Sequence, residues 1–195
     1  LHDNLHFICL HNGKFFLDAN NTSSRTKIFS YDGSSIVQVS NTQATQSAHD
    51  TPWDETIFDN KIFFQAMSGN AKYKLFSYDD QTSDISQISN TTEDNNEYDF
   101  WTSGPFLTVY NEKLFFIANN LNGVYKMYKY NKDLGTITLV TNTRNNNNAS
   151  DFSIAEKPNP IVYNNYLFFT ARNINNVAKL YKYYDRLKGV VRAEG

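Results

Sequence analysis

Four lysines recur at one place in a repeated aromatic pattern. They open the segments Lys27-Ile28-Phe29-Ser30-Tyr31, Lys74-Leu75-Phe76-Ser77-Tyr78, Lys126-Met127-Tyr128-Lys129-Tyr130 and Lys179-Leu180-Tyr181-Lys182-Tyr183. One cation per repeat would form a positive ring able to meet phosphate or sulfate. The plainer reading, and the preferred one, is a solvated strand edge where lysine discourages edge-to-edge pairing. A second set joins aromatics to acids: Trp53 beside Asp50, Asp54 and Glu55; Trp101 near Tyr98, Asp99, Glu93, Asp94 and Glu97; Phe152 beside Asp151 and near Glu156. An aromatic platform rimmed by carboxylates can stack a sugar ring, and the same composition anchors a protein partner. The plain alternative has these aromatics filling gaps between repeats while the acids are solvated. Trp53, Asp54, Tyr98, Asp99, Trp101 and Phe152 are therefore the expected binding surface. Asp54 and Asp99 are also a conceivable acid and base for glycan hydrolysis, though a chain this rich in acids supplies such pairs by chance. His6 and His11 differ by five, which on a regular strand puts them on opposite faces and separates them as metal ligands. Cys9, between Ile8 and Leu10, reads as a small buried hydrophobe. No catalytic residue, metal site or cofactor is expected.

Composition narrows the function classes. Of 195 residues, 18 are Lys or Arg and 20 Asp or Glu, a formal charge of −2, which speaks against a nucleic-acid partner. One cysteine excludes an internal disulfide framework and any multi-cysteine metal site. No stretch approaches the roughly 20 apolar residues of a membrane span. The chain does not begin with Met and shows no signal peptide, as expected of a processed mature protein or a piece of a larger one.

The elements that must position these residues follow from a repeat of about fifty residues. Double-Phe segments occur at Phe15-Phe16, Phe63-Phe64, Phe115-Phe116 and Phe168-Phe169, spaced by 48, 52 and 53; the lysine-headed segments are spaced by 47, 52 and 53. Each unit reads as four short strands. In the third these are Phe106 to Tyr110, Leu114 to Ala118, Tyr125 to Tyr130 and Thr136 to Thr141. They are rich in aromatic and β-branched residues and separated by Asn, Asp and Gly turns. The chain holds 26 Asn, an excess those turns partly explain. Loops from Asn41 to Glu55, Asn90 to Pro105 and Asn142 to Pro160 join the units. The second unit's first strand is expected at Thr56 to Phe58, which leaves Trp53 in a loop.

Four-stranded units at this period predict an all-β fold, a β-propeller of four four-stranded antiparallel blades, closed alone or as part of a larger ring. The blades are expected at about 1–42, 53–91, 104–143 and 158–195 of one domain spanning 1–195. A sandwich or barrel does not need equivalent motifs at a fixed period. Adjacent Phe residues of a pair are expected to pack against different neighbouring blades.

The pattern Val109 to Phe116 with Lys126 to Tyr130, and Asn12 to Phe16 with Lys27 to Gly33, resembles a family of bacterial propeller repeats. In these a "YNGKLYF" hairpin precedes an "ELW…DGT" strand. Lys stands in place of the family's Glu at 27, 74, 126 and 179, and Phe or Tyr in place of its Trp at 29, 76, 128 and 181. The resemblance implies the propeller fold, export or an envelope location, and a binding role. The expected function is a non-enzymatic scaffold presenting a loop face to a protein partner. The alternatives are a carbohydrate-binding, lectin-like propeller and, behind it, a glycan hydrolase.

Overall fold

The computed structural model describes residues 5–100, 104–153, 158–185 and 189–192. Among the described residues sixteen strands form four sheets of four, each antiparallel and ordered as in the sequence. Blade one contains β1 (His6–His11), β2 (Lys14–Asn20), β3 (Thr26–Tyr31) and β4 (Ile36–Gln38). Blade two contains β5 (Trp53–Phe58), β6 (Lys61–Met67), β7 (Tyr73–Asp79) and β8 (Asp84–Gln87). Blade three contains β9 (Thr108–Tyr110), β10 (Lys113–Asn119), β11 (Tyr125–Asn131) and β12 (Thr136–Leu139). Blade four contains β13 (Ile161–Tyr163), β14 (Tyr166–Arg172), β15 (Ala178–Tyr184) and β16 (Gly189–Arg192). The expected all-β propeller repeat is thus present. The chain divides into two compact units, one holding blades one and two with residues 95–104, the other holding 91–94 with blades three and four.

The first hairpin of every blade turns on two residues, and the turns explain part of the Asn usage. Asn12 and Gly13, Asp59 and Asn60, Asn111 and Glu112, and Asn164 and Asn165 all have positive φ. Two consecutive left-handed residues match the twist of the flanking strands, and Asn, Asp and Gly tolerate them best. Glu112, at φ 56, is the poor fit. Glu112→Gly should therefore raise stability by about 1 kcal/mol, read as a higher urea midpoint with an unchanged slope.

Strand pairing corrects the alignment of blade one. Opposite Tyr31, Tyr78, Tyr130 and Tyr183 stand Phe15, Ile62, Leu114 and Leu167. Phe16, not Phe15, is therefore the counterpart of Phe63 and Phe115. The double-Phe spacing of 48 ran one ahead of the lysine-headed spacing of 47 because blade one places its pair one residue earlier.

Alternation along β2, β6, β10 and β14 gives each blade two apolar faces. In the first unit, Phe16 and Ile28 of blade one meet Ile62, Phe64, Ala66, Phe76 and Tyr78 of blade two in one core. In the second, Tyr110, Phe115, Ile117 and Met127 of blade three meet Leu167, Phe169, Ala171, Tyr181 and Tyr183 of blade four. Phe63 and Phe116 are buried on the opposite faces of their sheets from Phe64 and Phe115, as the period of two requires.

Candidate functional site

Three of the four lysines form neither a charged ring nor a solvated edge, while Lys179 is half-buried. Lys27, Lys74 and Lys126 are completely buried, each against an equally buried aspartate: Lys27 Nζ to Asp50 Oδ1 at 2.9 Å, Lys74 to Asp99 at 2.9 Å, Lys126 to Asp151 at 3.0 Å. Burying an ammonium requires that its three donors be used. Lys27 Nζ also donates to Asn41 Oδ1 and the Thr45 carbonyl, and Lys126 Nζ to Asn142 Oδ1 and the Asn146 carbonyl. Lys74 Nζ donates to Asn90 Oδ1 in the same way. Ser40 and Ser89 donate to the second carboxylate oxygens of Asp50 and Asp99, both at 2.6 Å, and accept the Ile28 and Leu75 amides.

The aspartate also fastens backbone. The Asp50 amide donates to the Thr26 carbonyl on β3, while the Asp50 carbonyl accepts the Met67 amide on β6. Asp151 bridges Tyr125 on β11 and Arg172 on β14 likewise. Each such aspartate straps one blade to the next within its unit. This corrects two expected site residues. Asp99 is fully buried in a strap, with both oxygens engaged, so Asp54 and Asp99 are not an acid–base pair. Phe152 lies in the core between blades three and four, 5.8 Å from Phe169, rather than on a loop face. The strap lay in the sequence unread: Lys, then Ser or Thr followed by Asn-Thr, then Asp ten residues after that Ser or Thr.

Of the remaining expected residues, Trp101 lies outside the described residues. Tyr98 is at the surface, with Lys72 Nζ 4.2 Å from its ring centroid and Tyr73 packed beside it at 5.9 Å. Trp53 and Asp54 are on a strand, not in a loop, because β5 begins at Trp53. Trp53 pairs with Gln65 and Thr56 with Phe63, so Asp54 and Glu55 together oppose the single residue Phe64. This is a β-bulge, which re-aims side chains at a sheet edge. Asp54 takes φ 54 there. Gly104, at φ +85, closes over the bulge. A Cβ on it would stand 3.0 Å from Trp53 Cδ1 and 3.2 Å from Asp54 Cβ. Trp53 is thus held from one side while 59% of its surface stays exposed.

β1, the edge strand next to β5, carries its own bulge between Phe7 and Cys9. The extra residue reverses the parity expected for the histidines: His6 opposes Asp18 and His11 opposes Lys14, so both share the face of Phe16. They still do different things. His11 is buried and bonds the Asn60 carbonyl through Nε2, whereas His6 is exposed and reaches Asp18 Oδ1 at 3.2 Å. Among the described residues no group of three or more His, Cys, Asp or Glu is placed to hold a metal ion.

The two bulges bring His6, Cys9, Asp18 and Glu55 into one electrostatic neighbourhood. Burial raises the Glu55 carboxyl above its ordinary range, and the Asp18 and Asp54 charges raise it further. Burial raises Asp18 too, with His6 opposing the shift. The Cys9 thiol is pushed up to about 11 by burial and by Glu55, so it is an inert thiol rather than a nucleophile. Among the described residues no lysine or arginine pairs with Glu55 or Asp18. The result is a half-buried acidic edge with the His6 imidazole but no lysine or arginine beside it, next to an exposed indole.

No family model and no curated protein matches the sequence. Solved structures match the fold. A puromycin hydrolase S511A mutant complexed with PGG aligns at 8% identity and TM-score 0.59, over 92% of this chain and 26% of its own. TolB from Acinetobacter baumannii aligns at 14% identity and TM-score 0.53, over 96% of this chain and 40% of its own. A TolB-like structure from Agrobacterium tumefaciens aligns at 8% identity and TM-score 0.51, over 92% and 60%. At these identities the likeness is one of fold: the four sheets correspond to part of the β-propeller in larger chains. No helix among the described residues is long and apolar enough to cross a membrane.

Proposed function

We propose that this chain is a non-enzymatic binding module whose bulged edge strands β1 and β5 receive a basic segment of a protein partner. The observation that carries this reading is the acidic edge of Glu55 and Asp18, flanked by the His6 imidazole but by no lysine or arginine among the described residues, next to Trp53. A carboxylate held partly away from water is stabilised by an incoming ammonium or guanidinium, and an exposed Trp supplies the apolar anchor such interfaces use. Export or an envelope location, implied by the repeat resemblance, belongs to the same reading.

Titration of the chain with lysine- and arginine-containing extended peptides, against a parallel glycan array, tests it. Trp53→Ala should weaken peptide binding about thirtyfold. Affinity should fall as pH drops. Because the Glu55 and Asp18 values are raised, protonation removes their charge at a pH above the ordinary carboxylate range of about 4. Glu55→Gln should flatten that pH profile. Specific sugar binding lost in Trp53→Ala, with no peptide binding, would establish the lectin reading instead. Turnover of a glycoside abolished by Asp54→Asn would establish an enzyme.

A further inference from the structure

The gap between neighbouring blades is closed differently in the two units. In the second, Lys129 on β11 stands across from Phe115 and reaches blade four. Its ammonium donates to the Tyr183 hydroxyl at 2.9 Å and to Asp185 Oδ1 at 3.1 Å. Lys113 donates to Asp185 Oδ2 at 2.8 Å, and the Tyr183 hydroxyl to Asp185 Oδ1 at 2.6 Å. The first unit repeats most of this frame. Lys14 precedes Phe15 as Lys113 precedes its counterpart Leu114. Asp80 follows Tyr78 by two residues as Asp185 follows Tyr183. Lys14 Nζ donates to Asp80 Oδ1, again at 2.8 Å.

One member of the frame is replaced. The position of Lys129, across from Phe115, is held in blade one by Ser30, across from Phe16. A serine side chain is too short to cross the gap, and a cavity of about 240 Å³ lies between blades one and two. Ser30 is 8% exposed and lines it, and its hydroxyl has no hydrogen-bond partner among the described residues. Tyr78 lines it too, with Ser83 as the partner of its hydroxyl. The Asp80 side chain is 7% exposed, and among the described residues its carboxylate accepts from Lys14 alone. Asp185 accepts from two lysines, Tyr183 and Asn111. Asp32 adds a second carboxylate to the wall, held well below the usual carboxylate range by the Ser35 and Ser34 amides and hydroxyls. Lys14 is therefore one cation against two carboxylates. Val37 and Val39 give the same wall an apolar part. Pockets for drug-sized ligands begin at about 300 Å³, so this one suits a smaller guest.

We propose that the cavity between blades one and two binds a primary alkylammonium, its charged end taking the place that Lys129 Nζ holds in the second unit. The guest is a lysine-like chain of about four carbons. Its ammonium donates to the Ser30 and Tyr78 hydroxyl oxygens and faces the charges of Asp32 and Asp80, while its alkyl part lies on Val37 and Val39. An ammonium leaving water needs acceptors for its three donors, and two hydroxyl oxygens and a carboxylate supply them. The site is separate from the Trp53 edge. Lys14 adjoins the first hairpin turn of blade one, whereas Trp53 lies at the end of β5 away from its turn. A free amine and a lysyl side chain of a partner present the same group.

Titration of the chain with n-butylammonium chloride, followed by amide chemical shifts, should show saturable binding with a Kd on the order of 1 mM. The shifts should centre on Ser30, Val37 and Ser83. n-Butanol, of the same shape but neutral, should bind at least about tenfold more weakly. Ser30→Lys supplies the ammonium from the chain itself and should abolish binding, with the circular dichroism spectrum unchanged. Tyr78→Phe, which only removes a hydroxyl, should weaken binding about tenfold. Nα-acetyl-lysine amide, titrated in parallel, distinguishes the sources: tighter binding than n-butylammonium assigns a lysyl side chain, weaker binding a free amine. No saturable binding at about 20 mM n-butylammonium would overturn the proposal. So would equal binding of n-butanol, or affinity unchanged in both Ser30→Lys and Tyr78→Phe. None of these results bears on peptide binding at Trp53, which arginine-containing peptides measure separately.

Discussion

Lys74→Met should destabilise the first unit by about 3–5 kcal/mol, because it leaves the Asp99 carboxylate fully buried without its cation. Asp99 cannot turn to water: Ser89 holds its second oxygen at 2.6 Å, and its amide is tied to the Tyr73 carbonyl. The double variant Lys74→Met with Asp99→Leu should recover most of the loss, since two apolar side chains remove both desolvation penalties together. Denaturant unfolding of the wild type, both single variants and the double variant forms a complete cycle. A coupling energy near zero would show that the strap does not act as a pair. In the second unit the strap is less complete. Asp151 Oδ2 is buried without a hydrogen-bond partner, where Asp50 and Asp99 each accept a serine hydroxyl. Lys126→Met should accordingly cost at least as much as Lys74→Met in the same assay, because Asp151 keeps fewer donors once its lysine is gone.

Phe115→Ala should cost about 3–5 kcal/mol, whereas Phe15→Ala should cost under about 1 kcal/mol. Phe115 is fully buried, with Tyr183 at 5.3 Å and Tyr110 at 5.8 Å in the core between blades three and four. Truncating it removes transfer energy and opens a cavity that the strands around it cannot collapse into. Phe15 opens one of the double-Phe segments, as Phe115 does, yet it is 46% exposed. Equal losses at the two positions would mean that blade one shares the register of blade three after all.

Much of this molecule could be read from the repeats. Two motifs keeping one period located four units, and the Asn, Asp and Gly between apolar runs located the hairpins. Within each unit these are local interactions, decided by side-chain period and by which residues accept positive φ. The small disagreement between the two spacings, 48 against 47, already marked the shifted register of blade one, but only strand pairing showed which motif to follow.

What a residue does within the repeat was decided by tertiary structure. Nothing local distinguishes Lys74, buried in a strap, from Lys72, whose ammonium lies over the exposed Tyr98. The difference is an aspartate twenty-five residues further on, returned to the strand by a loop. The same holds for Asp99 and Asp54, two acids in acid-rich connecting segments, of which one is wholly enclosed and one belongs to a half-buried edge. The bulges in β1 and β5 are likewise invisible locally, because an inserted residue reveals itself only against its partner strand. They reverse the parity of His6 and His11 and set Glu55 beside Asp18. Sequence determined which residues recur; burial and pairing across blades determined which of them form the frame and which remain available to a partner.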